Sequence, residues 1–316
     1  MKRTFIVVLA LALLVGLAVP ALAAKGGAAV WHVPGDFATV QEAIDSSSVA
    51  PGDTIMVGPG SHAGALVTKS VTIRGDGQAV IDNGPPHSSG MIQGFRLMTG
   101  SDGTTVSHLR FEVDLVIMNG AAVDGVTIEH CTFINAVQAI SNWCGSRWVI
   151  AHNDIIDLRT RSGGGIGIFV GDYAATDGGV NDNVVSHNKI SGTLHVDPND
   201  CGGYCGSGIV LYADFRWNRL GAEKITDNRV VQNKVSLVSD TPSVVDVVAF
   251  EMTDTRDDPE EVVIFDNAVG FNDFRGTANQ IALTPEELAD VNTISRNLGD
   301  NRGHGLHPSL FGPGGN

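Results

Sequence analysis

A five-residue motif recurs along this chain at a nearly regular spacing, and it constrains the fold more than any other feature. Clear copies lie at 107–111, 129–133, 151–155 and 186–190, and weaker copies lie at 231–235, 265–269 and 295–299. The first two steps are 22 residues, and the later steps are 35, 45, 34 and 30. A constant short period interrupted by insertions is typical of stacked coils that share one core. The third position of the motif reads Leu109, Cys131, Asn153, Asn188, Asn233, Asn267 and Asn297.

Each coil is predicted to consist of short strands. Segments such as Val126-Thr127-Ile128 and Phe133-Ile134 are rich in β-branched residues. A strand rises about 3.3 Å per residue, so one period holds three strands and their turns. Stacking in register pairs each strand with its copies above and below, which predicts an all-β, single-domain parallel β-helix with about 22 or more residues per coil. The recurring asparagines are predicted to form one inward column at left-handed corners, with Leu109 and Cys131 continuing it.

Histidine precedes the third position in four coils, at His108, His130, His152 and His187. A column of imidazoles is open to interpretation as a metal site. Equivalent positions in successive coils stack about 4.8 Å apart whatever they bind, however, so the repeat explains the column without a ligand.

The repeats resemble the right-handed β-helix repeats of the pectin-lyase-like superfamily. The segment VPGDFATVQEAID at 33–45 resembles the opening segment of many members. The resemblance covers nearly the whole mature chain, and it implies a right-handed parallel β-helix that handles carbohydrate polymers. The activity stays open, because this fold carries many activities and the sequence has no complete polygalacturonase, alginate epimerase or pectinesterase motif.

The two ends of the chain predict export and capping. Residues 1–23 combine Lys2 and Arg3, a long apolar run and a small-residue cleavage site, which is typical of a secretory signal peptide. The domain is then predicted to span 24–311, with an N-terminal cap at 31–53 and a disordered tail at 312–316. Thr39-Val40-Gln41-Glu42 reads as a capping box that opens a short capping helix. The mature protein is expected to be secreted, periplasmic or attached to the cell surface.

The charge balance argues against anionic partners. The chain has 20 Lys and Arg against 35 Asp and Glu, a formal net charge of −15, and signal cleavage would remove two of the bases. An acidic surface repels nucleic acid and polyuronates, so an anionic substrate would need a basic patch or a bridging cation. Neither nucleic acid nor a membrane is an expected partner of the mature protein.

A second recurring phrase, with copies at 139–143, 165–169 and 208–212 and a weaker copy at 247–251, predicts a row of aromatic side chains on the outer surface. If Ile166 and Ile168, like Ile209 and Leu211, face the core, alternation turns other side chains outward in one column. That column contains the candidate substrate-binding residues Trp143, Phe169 and Tyr212, together with Glu251. Exposed rings would stack on sugars. The alternative is that inserted loops cover these rings.

The candidate catalytic residues are Asp172, Asp214, Arg216 and Glu251, which lie on or after the same strand. The resemblance implies that a base beside bound Ca²⁺ abstracts a proton, as in polysaccharide lyases. Two carboxylates such as Asp172 and Asp214 would instead suit hydrolysis of a glycosidic bond. Ca²⁺ is the cofactor that the clustered carboxylates favour, and solvated surface acids are the alternative.

Four cysteines in an exported chain allow three pairings. Cys201 and Cys205 enclose three residues and are expected to form a disulfide bond. Pairing of Cys131 with Cys144 depends on geometry that the sequence leaves open.

These patterns predict an exported β-helix whose partner is an extracellular polysaccharide. As an enzyme it would be a lyase or a glycoside hydrolase. The alternative is a non-catalytic surface or envelope protein that serves adhesion or carbohydrate binding.

Overall fold

Short strands and tight corners account for almost all of the regular structure. The computed structural model describes residues 27–172, 179–201, 205–213, 224–255 and 262–299. The predicted signal peptide at 1–23 and the predicted tail at 312–316 lie outside these residues. The described residues form 28 strands and two short helices.

Strands follow one another closely along the chain, with one short helix near each end. The first half of the chain contains β1 (Val30–Val33), α1 (Val40–Asp45), β2 (Thr54–Val57), β3 (Gly60–Ala63), β4 (Ala65–Val67), β5 (Thr72–Gly75), β6 (Ala79–Asn83), β7 (Gln93–Leu97), β8 (Thr105–Ser107), β9 (Arg110–Phe111), β10 (Leu115–Asn119), β11 (Thr127–Glu129), β12 (Thr132–Ala136), β13 (Gln138–Trp143), β14 (Val149–Ala151) and β15 (Asp154–Arg159). The second half contains β16 (Gly164–Gly171), β17 (Val180–Asn181), β18 (Val184–Ser186), β19 (Lys189–His195), β20 (Cys205–Ala213), β21 (Ile225–Thr226), β22 (Arg229–Val231), β23 (Lys234–Ser239), β24 (Val248–Asp254), β25 (Ile264–Phe265), β26 (Ala268–Gly270), β27 (Asn279–Thr284), α2 (Leu288–Val291) and β28 (Thr293–Ser295).

These strands stack into parallel sheets that run along the solenoid. The ten-stranded sheet has the order β1-β2-β5-β8-β11-β14-β18-β22-β26-β28. The eight-stranded sheet runs β4-β7-β10-β13-β16-β20-β24-β27, and the seven-stranded sheet runs β3-β6-β9-β12-β15-β19-β23. A small sheet, β17-β21-β25, adds a fourth side to the later coils. Neighbouring strands come from successive coils and pair in parallel, so the predicted parallel β-helix is confirmed.

Two asparagine ladders flank the ten-stranded sheet, where the sequence predicted one. The first ladder follows its strands and consists of Asn153, Asn188, Asn233, Asn272 and Asn297. The second ladder precedes its strands and consists of Asn183, Asn228, Asn267 and Asn292. The prediction was therefore wrong for Asn267, whose place in the first ladder is taken by Asn272. The later coils carry two asparagines five residues apart, and the motif can be matched to either.

Asn188 shows how a ladder residue is bonded. Its Oδ1 accepts the backbone N–H of Asn153 at 3.1 Å and the Asn153 side-chain amide at 3.0 Å. Its Nδ2 donates to the carbonyl oxygen of Ile150 at 2.8 Å and to Oδ1 of Asn233 at 3.0 Å. Each side chain thus satisfies buried backbone groups at a corner and joins neighbouring coils.

At every ladder asparagine except Asn292, the residue in front of the asparagine is left-handed, which corrects the expectation that the asparagine itself adopts this conformation. His152, His187 and Gln232 have φ of 57°, 56° and 59° in front of the first ladder, and Asp227 and Asp266 have φ of 59° and 58° in front of the second. The chain turns at these residues, and the following asparagine points inward. The preceding side chain consequently lies on the outer surface of the corner.

The core is a continuous column of apolar side chains inside the coils. Phe95 contacts Phe111 edge to face, with ring centroids 5.6 Å apart, and Phe111 stacks on Phe133 at 5.2 Å. Phe250 and Phe274 stack in the later coils at 6.2 Å. Because aromatic side chains stack on aromatic side chains of the next coil, successive coils have similar core packing.

The predicted capping helix is confirmed as α1, which buries Val40, Ala43 and Ile44. Thr39 Oγ1 accepts the N–H of Glu42 at 3.1 Å, as the capping box requires. Gln41 covers the edge strand β4, because its side chain accepts the N–H of Leu66 at 2.8 Å and donates to the Leu66 carbonyl. The helix α1 therefore protects the edge of the first coil.

Candidate functional site

The predicted aromatic column divides into two adjacent columns on the outer face of the eight-stranded sheet. Phe169 is in register with Val210, and Val210 with Glu251. Two residues further along each strand, Trp143 is in register with Gly171, and Gly171 with Tyr212. The copies of the phrase therefore align on a different isoleucine from the one that the sequence suggests. A slip of two residues preserves which side chains point outward but changes which of them are neighbours.

Ile166 also departs from the prediction, because it faces outward. It packs with the outer aromatic cluster rather than with the main core. Alternation fails at the next residue: a Cβ added to Gly167 would lie 2.9 Å from Cδ1 of Ile190, inside the coil. Gly167 and Ile168 therefore both face inward, while Ile168 and Ile209 join the core as predicted.

The rings on this face are covered. The solvent-exposed fraction is 3% for Phe169 and 1% for Tyr212, and Trp143 is partly buried. The ring centroids of Trp143 and Phe169 are 4.0 Å apart, and those of Phe169 and Tyr212 are 5.7 Å apart. The expectation of an exposed sugar-stacking column is wrong for Phe169 and Tyr212. The rings pack with one another and with Ile166 and Val210, as the hydrophobic effect favours on an apolar outer face. Residues 173–178 and 214–223, in the loops that the alternative invokes, lie outside the described residues.

Glu251 is a buried carboxylate with hydroxyl partners. Its exposed fraction is 3%. Its Oε2 accepts a hydrogen bond from Ser207 Oγ at 2.9 Å, and its Oε1 accepts one from Thr253 Oγ1 at 2.5 Å. Such bonds offset part of the cost of burying a charge. Alternation in the sequence places Thr253 on the same outward face as Glu251, whereas sequence reasoning missed Ser207, which lies in the neighbouring coil.

The other candidate catalytic residues are only partly described. Asp172 is buried directly after β16, where its N–H donates to the carbonyl oxygen of Tyr212 at 3.2 Å. Asp214 and Arg216 lie outside the described residues. Their grouping with Asp172 into a catalytic or Ca²⁺ site therefore stays a prediction.

None of the four cysteines is in a disulfide bond in the structure, so the expected Cys201–Cys205 bond is not formed in it. Cys205 Sγ instead lies 3.5 Å from the carbonyl oxygen of Cys201. Burial, followed by the nearby Cys201 and Glu251, raises the pKa of the Cys205 thiol to about 12. Cys131 is not bonded to Cys144 either. It occupies the first ladder column, where its N–H donates to Asn153 Oδ1 at 3.0 Å and its Sγ lies 3.4 Å from the carbonyl oxygen of Glu129.

The histidine column forms as expected from the repeat. The ring centroids of His108 and His130 are 5.1 Å apart, those of His130 and His152 are 5.2 Å apart, and those of His152 and His187 are 4.7 Å apart. Among the residues that the structure describes, no three His, Cys, Asp or Glu side chains are grouped so that they could hold a metal ion.

An open cleft of about 640 Å³ lies beside the second ladder, near the C-terminal coil. It is lined by Lys224, Phe265, Asp266 and Asp290, among others. The Lys224 side chain lies over the ring of Phe265, with its Nζ 5.4 Å from the ring centroid. Sequence reasoning did not anticipate this cleft, because its residues come from separate coils.

The stacked parallel sheets define a β-solenoid of the parallel β-helix class. No helix in the described part of the chain combines the length and apolar character needed to cross a membrane.

Comparison with known proteins yields a local similarity. Neither a protein-family model nor a solved structure matches the chain. It is similar to a cell surface glycoprotein of Methanothermus fervidus, with 31% identity over 116 residues. The match covers 34% of this chain but 17% of that protein, so the chain corresponds to a small part of its relative.

Proposed function

We propose that this chain is an exported, non-catalytic β-solenoid of the cell surface that serves as a rigid scaffold for adhesion or carbohydrate binding. The observation that carries the proposal is the closed outer face of the eight-stranded sheet. Phe169 and Tyr212 are buried there, and the Glu251 carboxylate is bonded to two hydroxyls. A catalytic surface for a polymer would need these groups within reach of substrate.

The similarity to the Methanothermus surface protein supports a location outside the cell, as does the signal-peptide pattern at 1–23. The sequence of this chain contains no Asn-x-Ser/Thr acceptor for N-glycosylation. We also propose that the chain belongs to the pectin-lyase-like superfamily. The stacked coils with three sheets and the inward asparagine ladders support this assignment.

A screen of polysaccharides separates scaffold from enzyme. The full chain is incubated with neutral and acidic polysaccharides, with and without Ca²⁺, and retention is measured beside unsaturated-product absorbance and new reducing ends. The proposal expects no product, whether or not a polymer is retained. Product above that of heat-denatured chain, lost in Asp214→Asn, would overturn it and favour the lyase or hydrolase alternative.

The aromatic cluster provides a second test of the same proposal. Tyr212→Ala removes a buried ring and should lower the free energy of unfolding by about 3–5 kcal/mol. Trp143→Ala, at a partly exposed ring, is the matched control and should cost less. If Tyr212→Ala left the urea midpoint unchanged but abolished polysaccharide retention, the ring would contact the polysaccharide. The proposal that this outer face is closed to substrate would then be wrong.

Export is tested separately from activity. The chain with residues 1–23 is expressed beside a chain that starts at residue 24, and protease shaving of intact cells reports surface exposure. The proposal expects the first chain to be shaved and the second to be protected.

A further inference from the structure

The corner that carries the histidine column has an unusual charge distribution for such an acidic chain. His130, His152 and His187 are exposed, and His108 is half-buried. Each ring is fixed on the surface because its backbone is left-handed and the next residue belongs to the first ladder column. The imidazoles therefore form a line along the solenoid axis, about 5 Å apart.

Charged side chains flank this line on both sides. On the ten-stranded sheet, Arg74 and Glu129 share the outward row next to the histidines. On the seven-stranded sheet, the adjacent outward row runs through successive coils as Arg110, Thr132, Asp154, Lys189 and Lys234. Arg110 also forms a salt bridge with Glu112. We call the four histidines with Arg74, Arg110, Lys189 and Lys234 the histidine edge.

Arg74 and Lys189 are the cations of the histidine edge with the greatest access to an anionic partner among the described residues. Neither Arg74 nor Lys189 forms a salt bridge with a residue that the structure describes, and both side chains are exposed. The edge thus carries four fixed positive charges beside four carboxylates, those of Glu112, Glu129, Asp154 and Asp273, the last of which follows Lys234 in the outward row. Protonation of the histidines would add positive charge in a line.

We propose that the histidine edge is a docking strip for a linear anionic polymer, which binds at mildly acidic pH. An ordinary imidazole titrates near pH 6.5, whereas carboxylates keep their charge to below pH 5. Protonated rings held about 5 Å apart repel one another, and an extended polymer with closely spaced anionic groups relieves that repulsion. Because the fixed charges of the strip balance, protonation of the exposed rings turns it into the basic patch that an acidic protein needs for an anionic partner.

The inference adds a partner class to the proposed surface function and is tested in solution, independently of export. Fluorescently labelled dextran sulfate is titrated with the full chain at pH 5.0 and pH 7.5, at constant ionic strength and with EDTA present. Fluorescence anisotropy reports binding, and unsulfated dextran is the neutral control. Binding to dextran sulfate is expected to be about tenfold tighter at pH 5.0.

The key variant is H130Q/H152Q/H187Q. Glutamine is compatible with this backbone, because Gln232 occupies the same corner position with φ of 59°. The matched control is H32Q/H87Q/H195Q, which removes three histidines outside the edge. This control is necessary because the sequence pI is about 4.9, so acidification lowers the repulsion of any polyanion by the whole protein.

The proposal expects the edge variant to lose most of the gain in affinity on acidification and the control variant to keep it. K189Q/K234Q should weaken binding at both pH values, because its lost charges do not titrate in this range. Equal pH dependence in the two histidine variants, or equal binding of unsulfated dextran, would overturn the proposal. Failure of export would leave this binding intact, so the two hypotheses can fail separately.

Discussion

Asn188→Ala tests whether the asparagine ladders hold the coils together. The substitution removes four hydrogen bonds: two accepted by Oδ1 from Asn153 and two donated by Nδ2 to Ile150 and Asn233. It leaves the N–H of Asn153 and the carbonyl oxygen of Ile150 without these partners in a buried corner. At about 1 kcal/mol net per hydrogen bond, and more where a buried group loses its partner, the expected loss of unfolding free energy is about 4 kcal/mol.

Urea denaturation followed by far-UV circular dichroism measures this loss. Asn199→Ala is the matched control, because Asn199 is exposed and its side chain makes no hydrogen bond to a described residue; its cost should stay within about 0.5 kcal/mol. Asn297→Ala, at the half-buried end of the first ladder, should fall between the two. If Asn188→Ala shifted the midpoint no more than Asn199→Ala, water would be replacing the ladder bonds and the reasoning would be refuted.

Three further predictions concern packing, thiol chemistry and pH. Gly208→Val should cost more than about 3 kcal/mol in urea denaturation, because its Cβ would lie 2.6 Å from the Ala249 carbonyl oxygen, whereas Gly27→Val, with nothing within 4 Å, should be neutral. Burial raises the pKa of the Cys131 thiol to about 12. Ellman's reagent should therefore label the partly exposed Cys201 in the folded chain and Cys131 only after unfolding. Fast labelling of Cys131 would contradict its place in the core. Burial, followed by the nearby Arg74 and His130, lowers the pKa of His108. The contribution of this histidine to stability is therefore fully present above about pH 6.5 and is lost as the pH falls through the folded-state pKa. Urea midpoints should decline less on acidification in His108→Gln than in the wild-type chain.

The coil architecture was predictable from the sequence, because it depends on local patterns that repeat. Short β-branched runs around Thr127 and Phe133 became β11 and β12, and the 22-residue step placed Val106, Ile128 and Ile150 in one row. The capping helix followed from a motif of four residues whose bonds are local. Which side chains face the core and which face outward was also mostly predictable, because alternation along one strand does not depend on the neighbouring strands.

Register was decided by the tertiary structure. The sequence offers several isoleucines in each copy of the second phrase, and only the pairing of Ile140 with Ile168 and of Ile168 with Ile209 fixes which residues share a row. The same ambiguity misplaced Asn267, because Asn272 lies five residues away and fits the first ladder equally well by residue type. Insertions of variable length remove the constant spacing that would have resolved either choice.

Access to the candidate site was likewise decided by tertiary structure. Alternation correctly turned Phe169 and Tyr212 away from the core, but whether an outward ring meets water depends on chain segments remote in sequence. An apolar outer face favours a covering layer through the hydrophobic effect, which has no direction and leaves no periodic pattern in the sequence. The repeat therefore determined where these side chains point, and only long-range packing determined what lies above them.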